Sequence, residues 1–559
     1  MTLAARPSPG PRTGTALPGF AWRGVGALAV ALVLALLTLS GRYGYHRDEL
    51  YFRLLADQPA WGYVDQPPFT PLLARWSTDL LGDELWALRV PAALLLGVLA
   101  LLLALLAREV GGGPTAQLLA ALGAAGATPL ISGHLLLTAS LDWPLWVATG
   151  WLVVRALQRG GTRWWLAAGT VAGLATYNKL LVGLLLLALV VAMLLVDRGT
   201  LRGRGPWLGA AATVVVGGPN LVYQVVNGLP QLQMAGALTG DAARVLFLPG
   251  QLLNLGPPAV LVWGAGLVAL LVNPRWARLR SLGVAYLLAA VLLLAVAGQF
   301  YYTTGFLLLL HAVGAVVAEQ WLRPRRPGDT DPVGGEALAA DPPVGTGRDG
   351  RDGRDGRDRP DRVRARRLGR LVVVNVLTSA LVALPLLPAT TLRWTPVPLL
   401  SPTVGDQVGW PGYVEQAAAA FHALDPAEQR TTVLLADNYG QAGALDRYGP
   451  ALGLPAVHSG HNGLHERGGP APGTTTAVVL LQEQDRDRRA TATGPALAAA
   501  FAGCERVAAL DNGLAVPNEE QGTTVMVCRE PTDDWSALWP AFRHVGLSTF
   551  CHACREVLG

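Results

Sequence analysis

Apolar and polar residues fall into long blocks along this chain, not into the short alternations of a soluble fold. Blocks rich in Leu, Ala and Val run for roughly 15 to 20 residues, near the length at which a helix crosses a bilayer core. Eleven such blocks can be read, at about 24–40, 87–107, 115–131, 143–154, 164–177, 180–196, 207–222, 257–272, 282–297, 304–320 and 371–388. The first holds seventeen residues, Gly24 to Ser40, without a charge. It lacks a small-residue cleavage site followed by a polar mature sequence, so it reads as an uncleaved anchor. Several blocks are short, and the fourth has Pro144 near its start. Residues 164–196 divide into two spans or form one long tilted helix, and the choice sets the orientation of everything after them.

Arginine favours the division. With the N-terminus cytoplasmic, the segments placed inside carry 26 arginines, 13 of them in 321–370. The loops placed outside carry six basic residues, and the first of these loops offsets its four arginines with seven acidic residues. Basic residues near span ends stay on the cytoplasmic side. Eleven crossings therefore predict a cytoplasmic tail at 1–23, a transmembrane core at 24–322 and a last span at 371–388. The C-terminus then lies outside.

Two segments break the membrane pattern. Residues 323–370 contain GRDGRDGRDGRDRP, a glycine-rich polyampholyte that cannot bury a core and is expected to be a disordered cytoplasmic linker. Residues 389–559 instead alternate β-rich runs, TTVLLAD (431–437), TTAVVLLQE (475–483) and GTTVMVC (522–528), with helix-compatible stretches at 412–424 and 494–504. That alternation predicts an extracytoplasmic α/β domain. The fold class is thus a polytopic α-helical membrane protein with such a domain at its C-terminal end.

Composition agrees: 51% of the residues are hydrophobic and 15% charged, too apolar for an ordinary soluble protein. The net charge of +5 sits in short loops, so nucleic acid is not an expected partner and the lipid bilayer is. The four cysteines, Cys504, Cys528, Cys551 and Cys554, all fall in the outer segment, where disulfides are permitted. Cys504–Cys528 is the favoured pairing; CHAC at 551–554 is a second bridge or half of a zinc site.

The expected outer face collects residues that are odd for their setting. YGYHRDELYF (43–52) leaves the first apolar block, and ionisable groups at such a place usually mark function. WGYVDQPPF (61–69) follows in the same loop, then ASLDWP (139–144), TYNK (176–179) and GQFYY (298–302). Tyr and Trp favour headgroup depth in any membrane protein, so each segment also fits a bland interface anchor. Lys179 stands out as the single lysine beside 43 arginines. A compact ammonium at headgroup level suits a lipid phosphate, or it simply snorkels. Asp48 and Glu49 point about 100° apart on a helix, so they are not one carboxylate pair. One can face a cavity as a general base, or Asp48 can be a solvated helix N-terminus.

Taken together, the charge-free first span, HRDELY, GYVDQPPFTPLLARW and the AREVGG turn resemble the membrane glycosyltransferases of the GT-C class. They are similar in particular to glycosyltransferase family 39 and its bacterial cousins, the protein O-mannosyltransferases and the lipid A aminoarabinose transferases. DNYGQAGALDRYG and GLPAVHSGHN resemble outer-domain segments of bacterial members. The resemblance implies transfer of a sugar from a polyprenyl-phosphate donor to an acceptor hydroxyl of a protein, lipid or cell-wall glycan on the extracytoplasmic face. It implies Asp48 as general base with Glu49 as runner-up, and Asp142 as the second acidic position. Lys179, Tyr301 and Tyr302 match positions near the carrier phosphate, and Tyr63, Asp65 and Gln66 belong to the substrate-binding loop. Relatives often carry His or Lys where this chain has Gln66, so a phosphate or metal contact there is not implied. Inverting displacement of a lipid phosphate, a good leaving group, requires no cofactor; a divalent metal stays open. A transporter or flippase of a lipid-linked sugar is the competing class, although no internal repeat is seen and the acids lie at the outer edge rather than mid-membrane.

Overall fold

The computed structural model describes residues 17–237, 241–323, 362–482 and 493–546. The RDG repeats, Cys551 and Cys554 lie outside the described residues. Each of the eleven apolar blocks falls on helix. α1 (Trp22–Leu39) leads into two helices of the first loop, α2 (Arg47–Asp57) and α3 (Phe69–Leu81), and then into α4 (Leu85–Glu109). The third block is broken into α5 (Pro114–Ala121) and α6 (Ala127–His134), with a bend of 63° after a short 3-10 turn. Next come α7 (Thr138–Arg159), α8 (Thr162–Ala175) and α9 (Val182–Val196). The later blocks lie on helices Arg204–Val226, Val260–Val272, Arg280–Ala295, Thr304–Leu322 and Arg362–Ala383.

The 164–196 stretch is therefore two helices, separated at TYNKLL. Tertiary hydrogen bonds hold the break. The Phe69 N–H donates to the Tyr177 carbonyl at 2.9 Å and the Thr70 hydroxyl to Asn178 Oδ1 at 2.9 Å. Asn178 Nδ2 donates to the Thr138 carbonyl at 2.8 Å. The start of α3, the start of α7 and the α8–α9 break are thereby fastened together.

The chain is a multi-pass membrane protein. Among the described residues five helices are long and apolar enough to cross a membrane, or up to seven if each bent pair counts once. Others are short: α8, with 14 residues, rises about 21 Å, less than a hydrocarbon core of roughly 30 Å. The Thr304–Leu322 helix is buried along nearly its whole length and shares the main apolar core with α4.

The C-terminal region carries a five-stranded sheet in the order β2-β1-β3-β5-β4, made of β1 (Thr432–Ala436), β2 (Val457–His458), β3 (Thr476–Leu481), β4 (Phe501–Ala509) and β5 (Thr524–Pro531). β1 pairs parallel with β2 and β3, whereas β5 runs antiparallel to both β3 and β4. The expected helix at 494–504 is a correction. The helix there, Thr493–Ala500, gives way to β4 at Phe501. Pairing with β5 overrides the local alanine preference and sets Cys504 opposite Cys528, where the two form a disulfide.

α2 joins the two parts of the chain. Leu50, Tyr51, Leu54 and Leu55 are buried in one cluster with Trp410, Tyr413, Leu434, Tyr439 and Leu445. Burial of a large apolar side chain contributes about 1.5–3 kcal/mol, so this face fixes α2 firmly against the C-terminal region. The sharp turn before it passes through Tyr43 at φ 67 and Gly44 at φ 147. A Cβ on Gly44 would lie 2.5 Å from the Gln407 carbonyl oxygen, so only glycine fits.

Candidate active site

The N-terminus of α2 sets the site. His46 is its N-cap: Nδ1 accepts from the Asp48 N–H at 3.2 Å, and the His46 N–H donates to Glu49 Oε2 at 2.8 Å. This reciprocal box closes the first turn of α2. Glu49 is fully buried, and its oxygens accept from Arg89 Nε at 2.9 Å, Arg89 Nη2 at 2.8 Å and the Leu136 N–H at 3.1 Å. Arg89 also donates to the Ser40 and Gly44 carbonyls, at 2.8 and 2.7 Å. The pair thus ties the end of α1, the turn, α2 and α4 into one node.

Asp48, a residue earlier, faces the other way. Its side chain is 32% exposed and lines a cavity of about 630 Å³. Asp65, Gln66, Lys179, Tyr301 and Tyr302 line the same cavity. Elements far apart in sequence therefore bring six of the nine expected residues to one space.

Opposite in charge, the Lys179 ammonium sits over two aromatic rings, 5.1 Å from the Tyr302 centroid and 5.9 Å from that of Tyr301. The rings meet edge to face at 5.0 Å. Among the described residues no carboxylate lies within ion-pair distance of this ammonium. Asp142 attracts it electrostatically from α7, although it does not itself line the cavity. Asp142 is buried and neither oxygen has a hydrogen-bond partner among the described residues.

Tyr63 does not reach the cavity. Its hydroxyl donates to the Leu55 and Gln58 carbonyls, at 3.1 and 3.2 Å, and so closes the loop after α2. Gln66 does line the cavity, and its buried Nε2 has no partner among the described residues.

Asp65 accepts a hydrogen bond from the Tyr51 hydroxyl at 2.9 Å. Loss of surrounding water, more than any charge, raises its pKa to about 7. The unfolded chain releases this proton near pH 4, the folded chain near 7. Between those values the unfolded state binds fewer protons, so stability falls as pH rises and levels off above 7. Asp65→Asn should flatten the stability profile between pH 4 and 7, read as thermal unfolding in detergent. An unchanged slope in that variant would place the titration elsewhere.

Two residues at the site received no role from the sequence. Arg47 donates to the Tyr439 hydroxyl through Nε at 3.1 Å and Nη2 at 2.8 Å, and pairs with Glu519. The Tyr439 hydroxyl in turn donates to Asp48 Oδ1 at 2.8 Å. A signal existed: Tyr439 opens the helix after β1, at the carboxyl end of a parallel strand, where α/β folds place ligand groups. Among the described residues no three His, Cys, Asp or Glu side chains converge as a metal site.

Residues 65–223 match the family model of dolichyl-phosphate-mannose-protein mannosyltransferase. No curated protein matches the chain in sequence. The structure of ArnT from Cupriavidus metallidurans bound to undecaprenyl phosphate is similar at 15% identity and a TM-score of 0.52, over 90% of this chain and 98% of that one. The apo state of that protein is similar at 16% identity and a TM-score of 0.53, over 91% and 98%. Likeness at such identities is likeness of fold. The family segment and the fold bear out the resemblance to GT-C membrane glycosyltransferases.

Proposed function

We propose that this chain, GT-C in fold and with a mannosyltransferase-family segment at 65–223, transfers a sugar from a polyprenyl-phosphate carrier to an acceptor hydroxyl, with inversion. One observation carries the reading: a single cavity holds a partly exposed carboxylate, Asp48, and an ammonium without an ion-pair partner among the described residues, Lys179. The bound undecaprenyl phosphate of the ArnT structure supports a lipid-phosphate donor. The acceptor is a protein, a lipid or a wall glycan, and the sugar a hexose or a pentose. The arginine asymmetry supports a cytoplasmic N-terminus, with the site and the α/β region on the extracytoplasmic face of the cell membrane.

The reaction follows from the two charges. The acceptor oxygen attacks the anomeric carbon while its proton passes to Asp48. The bond from that carbon to the carrier oxygen breaks, and the phosphate leaves with the electron pair towards Lys179. Tyr301 and Tyr302 hold the ammonium in place through their ring faces. Because the carboxylate works on the acceptor and not on the sugar, no covalent glycosyl-enzyme forms. Glu49, saturated by Arg89, shapes α2 and takes no part in the chemistry.

Lys179 tests the phosphate side. Lys179→Ala should raise the donor concentration for half-maximal rate ~10-fold or more, the scale of a lost charged hydrogen bond. Lys179→Arg should also be impaired, since a planar guanidinium does not replace a compact ammonium in a confined site. The measurement is transfer against carrier-sugar concentration at equal folded protein. Full activity in the arginine variant would favour a snorkelling anchor, and full activity in the alanine variant would remove Lys179 from the site.

A further inference from the structure

We infer that Tyr439, carried by the C-terminal α/β region, is a positioning residue for the base, so that this region completes the active site. The inference rests on the reading of Asp48 as the base. Tyr439 sits between two groups that dictate its single proton. Arg47 can only donate, and does so twice to the phenolic oxygen. The tyrosine proton is therefore left for Asp48 Oδ1, at 2.8 Å. Burial raises the Tyr439 pKa strongly, so the hydroxyl keeps that proton throughout the working range.

The ring is held as firmly as the hydroxyl. It stacks on Tyr51 of α2 at 4.6 Å and on His461 at 5.0 Å, and His461 stacks on His544 at 4.7 Å. His461 is neutral with its proton on Nε2: Nδ1 accepts from the Tyr439 N–H at 3.2 Å, and Nε2 faces the Gly546 carbonyl at 3.1 Å. Burial holds its pKa well below the usual range, which agrees. The Tyr439–Tyr448 helix is capped by Asn438, whose side chain accepts from the Gln441 N–H at 2.9 Å.

Two glycines set how near this helix comes to α2. A Cβ on Gly440 would lie 2.9 Å from the Arg47 Cβ, and one on Gly443 would lie 2.7 Å from the Leu50 Cβ. Larger residues would push the helix away and draw the hydroxyl off Asp48. The segment NYGQAG thus encodes a close approach, a ring and a proton in one turn. By fixing one oxygen of Asp48, Tyr439 sets the orientation in which the carboxylate meets the acceptor.

Tyr439→Phe removes the hydroxyl and keeps the stacked ring. It should lower kcat for transfer about tenfold, the range of one hydrogen bond to a charged group. The donor KM should change less than twofold, and the thermal unfolding midpoint should fall modestly, because the buried Arg47 guanidinium loses an acceptor. A second comparison separates positioning from structure. In an Asp48→Asn background, Tyr439→Phe should have no further effect, because the group it orients no longer takes the proton. Wild-type kcat in the single variant, or an equal tenfold loss in both backgrounds, would overturn the inference. If Asp48→Asn itself stays active, the base assignment fails; if it collapses while Tyr439→Phe is silent, only the role of Tyr439 fails.

Discussion

Asp48→Asn is expected to reduce sugar transfer by roughly 100-fold or more while leaving the protein folded, the scale of lost general-base catalysis. The amide has nearly the shape of the carboxylate and can still accept from the Tyr439 hydroxyl through its oxygen. What it cannot do is take a proton from the acceptor. Donor binding should be little affected, because the proposed mechanism sets the phosphate towards Lys179. The assay compares transfer rates of the two proteins at equal folded amounts, with carrier-sugar in excess. Near-normal turnover in Asp48→Asn would leave the proposed mechanism without a base.

Glu49, its neighbour, should fail in a different way. Glu49→Gln leaves the buried Arg89 guanidinium facing a neutral amide, and Arg89→Met leaves a buried carboxylate without its cation. Breaking one side of a buried ion pair costs about 3–5 kcal/mol. Both variants should therefore lose folded protein in the membrane and unfold at lower temperature. Turnover per folded molecule should fall far less than in Asp48→Asn. Combining Glu49→Gln with Arg89→Met removes both charges and should recover part of the loss, because no uncompensated ion remains. A Glu49→Gln protein with normal stability and no activity would mean that the roles of the two carboxylates are reversed.

The contrast between these carboxylates marks how far local reading reaches. HRDEL shows two acids about 100° apart, one of which can face a cavity, but nothing in those residues says which. Arg89 says which, from α4, and it does so because its guanidinium also satisfies the Ser40 and Gly44 carbonyls beside Glu49. Tyr63 illustrates the opposite case. It belongs to the motif that carries the resemblance, yet its hydroxyl binds its own loop rather than facing the cavity. Lys179 was visible by composition alone, as one ammonium among many guanidinium groups. The ring faces beneath it come from Tyr301 and Tyr302, more than a hundred residues on, and only packing joins them.

The sequence by itself determined that the chain is polytopic and helical, because an apolar block of bilayer length has one economical way to satisfy its backbone, within a helix. It determined the strands β1, β3 and β5 for a similar reason, since short β-branched runs between turns favour extended backbone. It also supplied the chemical types at the site: a carboxylate, an ammonium and aromatic rings at the ends of apolar blocks. Tertiary structure alone decided the rest. The arginine distribution pointed to a break between α8 and α9, but the contacts that hold it, from Thr70 and Phe69 across to residues 177 and 178, are tertiary, and β4 depends on pairing with β5. The hydrogen bond from Tyr439 to Asp48 spans 391 positions of chain. Periodicity and propensity act over a few neighbouring residues, whereas these contacts exist only where folding brings distant segments within about 3 Å of each other.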